Sequence, residues 1–416
     1  MKWKEKLKKV DPVFYLIGIY ALWIISLNNR DDGGFTDFNV FFNAGRRLLE
    51  QENIYTDPHL FGLKYFYSPL FAWMMALMQD MGLYGAKAAW FVVTGLIFWR
   101  TMVLIKNIVP VRFKWRLPFF FVIMLLMSKI VMINYISHQM TVFLLWTILE
   151  AYQALEKKQY WLSAFVLCLG INFKVLPLVV APYFLFIAQD RLKYFISGVG
   201  ALAFYTFVPA VFIGWDYNML LIGEWAKTLN PVSKIHVMQT YEYGFLDISS
   251  LITKYLSDEP VYKEPVLNIA AWSMGALFAL TNFIRVACLT GAIWLVFKVK
   301  KPIYGIHHHL IIASAFMALA PLCFPHQREY SFFLYLPLWV VFLHVSLQGK
   351  YLKGLILFGV SAILSGLLTW YDFVGQDVVD IFNFYRITTL GMLCMYVTYV
   401  LFIASVSKQE TTIAHT

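Results

Sequence analysis

Hydrophobic runs long enough to cross a bilayer recur from one end of the chain to the other, separated by short stretches in which lysine and arginine gather. Such runs predict helices. In a lipid phase each backbone N–H and C=O must be paired inside its own element, which only helices and closed barrels achieve. Residues 12–27, 86–105, 117–136, 140–155, 194–213, 267–297, 304–322, 331–347, 354–370 and 385–406 read as single spans. The run 160–187 is long for one helix and is broken by Asn172-Phe173-Lys174, so it reads as two short crossings. Residues 66–81 are short and aromatic and read as a re-entrant piece. The pattern predicts an all-α integral membrane protein, one polytopic helical domain over 1–416, with about twelve crossings.

Charge orients these spans. The five lysines among residues 2–9, the cluster Lys106, Arg112, Lys114 and Arg116, and the later pairs Lys157-Lys158, Lys300-Lys301 and Lys350 with Lys353 all fall on one side when both termini are cytoplasmic. The first run lacks a small-residue cleavage site before Asn28-Asn29-Arg30 and reads as a retained helix. Two large loops then lie on the far side, 28–66 and 214–266. A net charge of +10 sits in these short clusters and so belongs to membrane topology rather than to nucleic-acid binding. The setting that fits is a bacterial inner membrane.

Polar residues that interrupt apolar runs gather on that far face: Asp37, His138-Gln139, Lys174, and Pro325-His326-Gln327-Arg328-Glu329. A charge at mid-bilayer costs roughly 2.5 to 3.5 kcal/mol, so such residues belong at helix ends or in wet cavities. Taken singly, each is readable as a helix-end residue in water. Their sharing of one face is what marks a site. After Thr36-Asp37 the stretch Phe38 to Leu49 reads as an amphipathic helix at the membrane surface, with Phe38, Phe41, Phe42, Leu48 and Leu49 largely on one face. Thr36 or Asp37 then suits its N-cap, and a carboxylate held at a helix start also suits a general base.

Other chemistry is thinner. Asp31-Asp32 is a carboxylate pair without further ligands and reads as a solvated turn before Gly33-Gly34. His307-His308-His309 reads as an interfacial cap. The four cysteines, Cys168, Cys288, Cys323 and Cys394, show no paired spacing, so neither a disulfide framework nor a zinc site is indicated. No Walker loop, dinucleotide loop, GxSxG or HExxH occurs. The second far-side loop carries Trp215, Trp225, His236, Tyr241, Glu242 and Tyr243, a set suited to stacking on sugar rings and equally to an interfacial helix over 217–229.

Several short motifs share a likeness. Thr36-Asp37-Phe38, Ala44-Gly45-Arg46, Ile54-Tyr55 and Tyr65-Phe66-Tyr67-Ser68-Pro69-Leu70, followed by His138-Gln139, Asn172-Phe173-Lys174-Val175-Leu176-Pro177 and Pro325-His326, resemble glycosyltransferase family 87 over roughly residues 15–340. Two positions depart from the pattern: His138 stands where the family tends to have Gly, and the late motif reads His-Gln-Arg-Glu-Tyr rather than His-Tyr. The resemblance implies a GT-C-type helical bundle that takes a polyprenyl-phosphate sugar, mannose first among the sugars, and delivers it with inversion to a glycolipid or glycan hydroxyl outside the cytoplasm. A lipid-borne donor accounts for the missing nucleotide cradle. In that scheme Asp37 is the base, Lys174, Arg328 and His326 meet the donor phosphate, and His138, Gln139 and Tyr67 contact sugar or acceptor. No cofactor is implied with certainty, and no metal is indicated although one is compatible.

Three rival readings carry different expectations. A transporter or flippase of lipid-linked sugars calls for polar groups near mid-membrane and a repeat between halves, and neither is evident. A membrane acyltransferase needs a catalytic His138 or His326 and leaves Asp37 dispensable. A non-catalytic scaffold leaves the one-sided clustering without cause.

Overall fold

The computed structural model describes residues 36–56, 64–230, 233–238, 244–257 and 269–413, together with Asp11, Gly18, Ile19, Leu22 and Leu267. The expected first span apart from Gly18, Ile19 and Leu22, together with Asp31-Asp32, Tyr241, Glu242 and Tyr243, lies outside the described residues, as does the side chain of His236. Among the described residues the regular elements are all helical. In chain order they begin α1 (Asp37–Leu49), α2 (Pro69–Ala76), α3 (Gly82–Ile108), α4 (Phe113–Leu126), α5 (Ser128–Ile136), α6 (Thr141–Glu156), α7 (Tyr160–Phe173), α8 (Ala181–Ile187), α9 (Arg191–Phe207), α10 (Ala210–Ile213) and α11 (Trp215–Leu229). They continue α12 (Lys234–Val237), α13 (Ile248–Leu256), α14 (Met274–Lys298), α15 (His308–Cys323), α16 (Leu336–Gln348), α17 (Leu352–Ser365), α18 (Tyr371–Val374), α19 (Gln376–Phe384) and α20 (Ile387–Ile413).

Six stretches among the described residues are long and apolar enough to cross a membrane: Gln79–Ile108, Arg191–Ile213, Met274–Lys298, Glu329–Gln348, Leu352–Thr369 and Ile387–Lys408. The pair α4 and α5 passes the same test together, but its two halves meet at 63°, so the expected straight span over 117–136 is broken. The run 160–187 divides at Lys174 into α7 and a shorter helix, Leu176–Ile187, and the piece over 66–81 is the short helix α2 followed by one 3₁₀ turn. Spans of this length and composition, in this number, make the chain an integral membrane protein.

The chain divides into two compact units: a first unit of Gly33–Leu104 and Asn134–Val237, and a second of Met1–Asp32, Ile105–Ile133 and Met238–Thr416. In the first unit, α1 is amphipathic as expected, but its apolar face is covered by protein. Phe38, Phe41 and Leu48 are buried, whereas Leu49 is exposed and falls off that face. Phe41 meets Phe71 of α2 at 5.3 Å, and Phe71 in turn meets Trp90 at 5.7 Å and Phe173 at 5.3 Å. Offset and edge-on ring pairs of this kind add to the area they bury. Ser68 caps α2 by accepting from the Phe71 N–H at 3.3 Å, and Pro69 occupies the first helical turn, where a missing N–H costs nothing.

In the second unit α15 and α16 are buried along nearly their whole length. Lys129, just beyond the break between α4 and α5, pairs with Glu329 at 2.8 Å and donates to the carbonyl of Thr369. Both charged side chains are buried or nearly so, and each offsets the desolvation of the other. The loop before α13 is tied to the segment after α15, with the Leu246 N–H donating to the Gln327 carbonyl at 2.7 Å and Asp247 capping α13 through Ser249 at 2.8 Å.

Gly45 lets α1 approach α2. A Cβ there would lie 2.6 Å from the backbone N of Ala76 and 2.6 Å from the carbonyl carbon of Met75, and backbone cannot rotate away. Gly45→Ala is expected to destabilise the first unit by about 1 to 3 kcal/mol, as overpacking does, read as a lowered Tm of the purified protein in detergent. Gly95→Ala meets nothing within 4 Å and is the control.

Candidate active site

The first unit brings five of the expected site residues together. Asp37 is the first helical residue of α1, and Thr36 is the N-cap. The cap is closed by Asn39, whose Oδ1 accepts from the Thr36 N–H at 3.3 Å and the Thr36 hydroxyl at 3.2 Å. The Asp37 carboxylate is therefore not spent on capping. It sits at the positive end of the helix dipole, which favours its anion, and Oδ2 accepts a hydrogen bond from the side-chain amide of Gln139.

Gln139 reaches Asp37 because of how α5 ends. The His138 N–H donates to the Tyr135 carbonyl at 3.1 Å and the Gln139 N–H to the Asn134 carbonyl at 2.7 Å, with His138 left-handed at φ +51°. These two bonds form a Schellman stop, whose turning residue is usually glycine because a Cβ is disfavoured there. At His138-Gln139 the first residue turns the chain and the second is delivered to the carboxylate. His138 makes the turn at a cost and adds an imidazole, whose Nδ1 lies 3.0 Å from the Ile136 carbonyl and whose ring packs 5.5 Å from Phe38. Its backbone carbonyl accepts from the Trp90 indole at 3.0 Å. Gln139 is 1% exposed, and its Oε1 finds no hydrogen-bond partner among the described residues.

Lys174 is the residue at which α7 stops. Its own N–H closes the last turn on the Gly170 carbonyl at 3.0 Å, its backbone is extended, and Pro177 lies in the next turn. Its half-buried ammonium stands 5.2 Å from the centre of the Tyr67 ring. Burial pulls the Lys174 ammonium down from 10.5 to about 8, and the Asp37 carboxylate opposes that shift. Lysine and carboxylate therefore belong to one electrostatic neighbourhood. Tyr67 and Tyr65 are buried, and they are held by main-chain bonds: Tyr55 Oη donates to the Tyr67 carbonyl at 2.8 Å, and Tyr65 Oη to the Ser68 carbonyl at 2.9 Å. Helix α11, over the stretch expected to be an interfacial helix, pins the chain on either side of this strap. Its Tyr217 hydroxyl donates to the Glu52 carbonyl at 2.6 Å and its Trp225 indole to the Phe66 carbonyl at 3.2 Å.

His326 and Arg328 belong to the second unit. Both lie against Phe245, the His326 ring at 5.1 Å and the Arg328 guanidinium at 5.6 Å from its centre, and His326 is left-handed at φ +61°. Two buried lysines within apolar runs were not singled out from the sequence. Lys87 of the first unit lies one helical turn before Trp90 on α3, and Lys129 of the second unit holds Glu329. Their signal was present, a lysine inside an apolar run, but each run read more simply as an uninterrupted span.

A family model for glycosyltransferase family 87 matches residues 65–298, more than half the chain. The chain belongs to glycosyltransferase family 87. As a member of it, this is a membrane glycosyltransferase, acting on a sugar donor and an acceptor. The matched stretch contains Tyr67, His138, Gln139 and Lys174, while Asp37 precedes it and His326 and Arg328 follow it. No curated protein and no solved structure matches the chain.

If His138 serves chiefly to turn the chain, His138→Gly relieves a left-handed strain of about 1 kcal/mol and keeps Gln139 in place. The expected result is an equal or higher Tm with transferase activity retained. Activity lost in a His138→Gly protein of undiminished Tm assigns a direct role to the imidazole.

Proposed function

We propose that this family 87 enzyme moves a hexose, mannose first among the sugars, from a polyprenyl-phosphate donor to a hydroxyl of a glycolipid or glycan on the extracytoplasmic face, inverting C1, with Asp37 as general base. The observation that carries the proposal is the placing of the Asp37 carboxylate at a helix start, held by Gln139, in the same unit and the same electrostatic neighbourhood as the Lys174 ammonium.

An acceptor hydroxyl is a weak nucleophile until its proton can leave. In the transition state the acceptor oxygen bonds to C1, its proton passes to Asp37, and the bond from C1 to the phosphate oxygen breaks. The lipid phosphate departs with one more negative charge than it carried as a diester. A fixed cation in a water-poor site stabilises that developing charge, and Lys174 takes that role in this reading. The lowered proton affinity of Lys174 without ligand fits a site built to gain an anion, because the arriving phosphate restores the charged form. The Tyr67 ring beside the ammonium and the Gln139 Oε1, buried without a protein partner, are suited to a sugar face and a sugar hydroxyl respectively. In this reading His138 borders the sugar. Membrane lipids and a lipid-linked donor are the partners, and the setting is a bacterial inner membrane with both termini cytoplasmic.

The test is transfer from radiolabelled polyprenyl-phosphate mannose, glucose, galactose and arabinose to membrane lipid extracts. Asp37→Asn is expected to lower kcat by about 10²- to 10⁴-fold with the fold intact. Undiminished transfer by Asp37→Asn removes the assigned base. Movement of a labelled lipid-linked sugar across vesicles without any transfer supports a flippase instead.

Lys174 has a pH signature. Its cation is present below about 8 and is lost as pH rises through that value, so kcat/KM, which reports the free enzyme, is expected to fall on the alkaline side near pH 8. Lys174→Arg keeps its charge at all these pH values and should move that limb upward, whereas Lys174→Gln should abolish it together with most activity.

A further inference from the structure

The assignment of Asp37 leaves open what orients the carboxylate and what sets its basicity. We propose that Gln139 is a positioning residue that holds the Asp37 carboxylate through Oδ2 and keeps it ionised. The inference deepens the reading of Asp37 as the base and rests on it.

Three observations converge. First, the Gln139 amide donates to Oδ2. Its orientation is dictated, since turning the amide over would set its oxygen against a carboxylate oxygen and leave two acceptors face to face. Second, the backbone delivers this side chain: the Schellman stop at Asn134, Tyr135 and His138 fixes the Gln139 main chain, and the side chain is 1% exposed. A buried side chain on a fixed backbone loses little further freedom in holding its partner, which is what positioning requires. Third, Oε1 is buried and meets no partner among the described residues, so Gln139 is not placed there to complete a protein network. An amide tied into the scaffold alone would have its carbonyl paired as well.

A donor to a carboxylate favours the charged form, so Gln139 lowers the pKa of Asp37. Among the described residues Lys174 acts on Asp37 electrostatically and the His138 ring lies beside Phe38, while α2, which packs on α1, carries no charged side chain. On α1 itself, Arg46 and Arg47 lie farther along the helix and are paired with Glu50 and Glu52. All of these stay unchanged when only Gln139 is replaced, so a shift on replacement reports the amide.

The experiment is isotope-edited infrared titration of the full-length protein in nanodiscs, with ¹³C-labelled aspartate and Asp37→Asn subtracted to isolate the Asp37 carboxyl band. Gln139→Leu is expected to raise the Asp37 pKa by about one unit, the scale of one hydrogen bond to an ionised group. Gln139→Glu, nearly the same size, should raise it further, because a second carboxylate replaces the donor. Size exclusion and circular dichroism establish that each variant is folded, and the near-isosteric Glu variant carries the test if Leu does not fold. An Asp37 pKa unchanged in a folded variant overturns the proposal.

The second readout is the pH profile of transfer. The acid limb of kcat/KM should move upward with the infrared pKa in both variants. A structural defect alone would scale the whole profile without moving the limb. An infrared shift with an unmoved limb keeps the coupling of Gln139 to Asp37 and removes Asp37 as the base, so the two readings fail separately.

Discussion

A single amide-to-carboxylate hydrogen bond, Gln139 to Asp37, ties the first unit's chemistry to its folding. One partner stands at the start of a helix and the other just past the end of one. Each is where it is because of main-chain rules: a threonine cap puts Asp37 in the first turn of α1, and a left-handed stop at His138 puts Gln139 beyond α5. Helix ends are the places where an apolar membrane protein must supply polar groups in any case, since main-chain donors and acceptors go unpaired there. The site reuses that necessity. Lys174 follows the same rule, as the residue at which α7 ends.

The aromatic residues complete this logic. Phe38, Phe41, Phe71, Trp90 and Phe173 form a continuous set of rings joining α1, α2, α3 and the end of α7. Phe38 follows Asp37 directly and Phe173 precedes Lys174. The packed rings thus carry the charged residues on their flanks, and the dry side of the cluster raises the strength of any charge interaction beside it. The Trp90 indole also holds the His138 carbonyl, so the turn that delivers Gln139 is braced by the same set.

Much of this was legible in the sequence, for reasons specific to each part. The break at Lys174 and the turn at His138-Gln139 stood out because a polar residue in an apolar run has few explanations. The helix from Asp37 was legible from its cap and its periodicity, although Leu49 was placed on the wrong face and the covering by α2 was not foreseen. Glycine at Gly45 gave no sign that it faced a neighbouring backbone, since nothing in a linear chain says which helix packs on which. The bend between α4 and α5 escaped for a related reason. Met127-Ser128 is apolar and small enough to pass within a span, and only the burial of Lys129 against Glu329 shows why the run does not continue straight. Pairings between residues distant in sequence stay hidden in any local reading.

That last pair bears on how the protein is made. Lys129 leaves the ribosome long before Glu329 does, so its segment reaches the membrane carrying an ammonium whose partner does not yet exist. Insertion of a lone lysine costs roughly 2.5 to 3.5 kcal/mol, which the leucines, isoleucines, phenylalanines and valines of the same run, at about 0.3 to 0.6 kcal/mol each, are numerous enough to offset. The segment can thus enter the membrane with its ammonium unpaired, and the ion pair cannot form until the chain as far as Glu329 has been made.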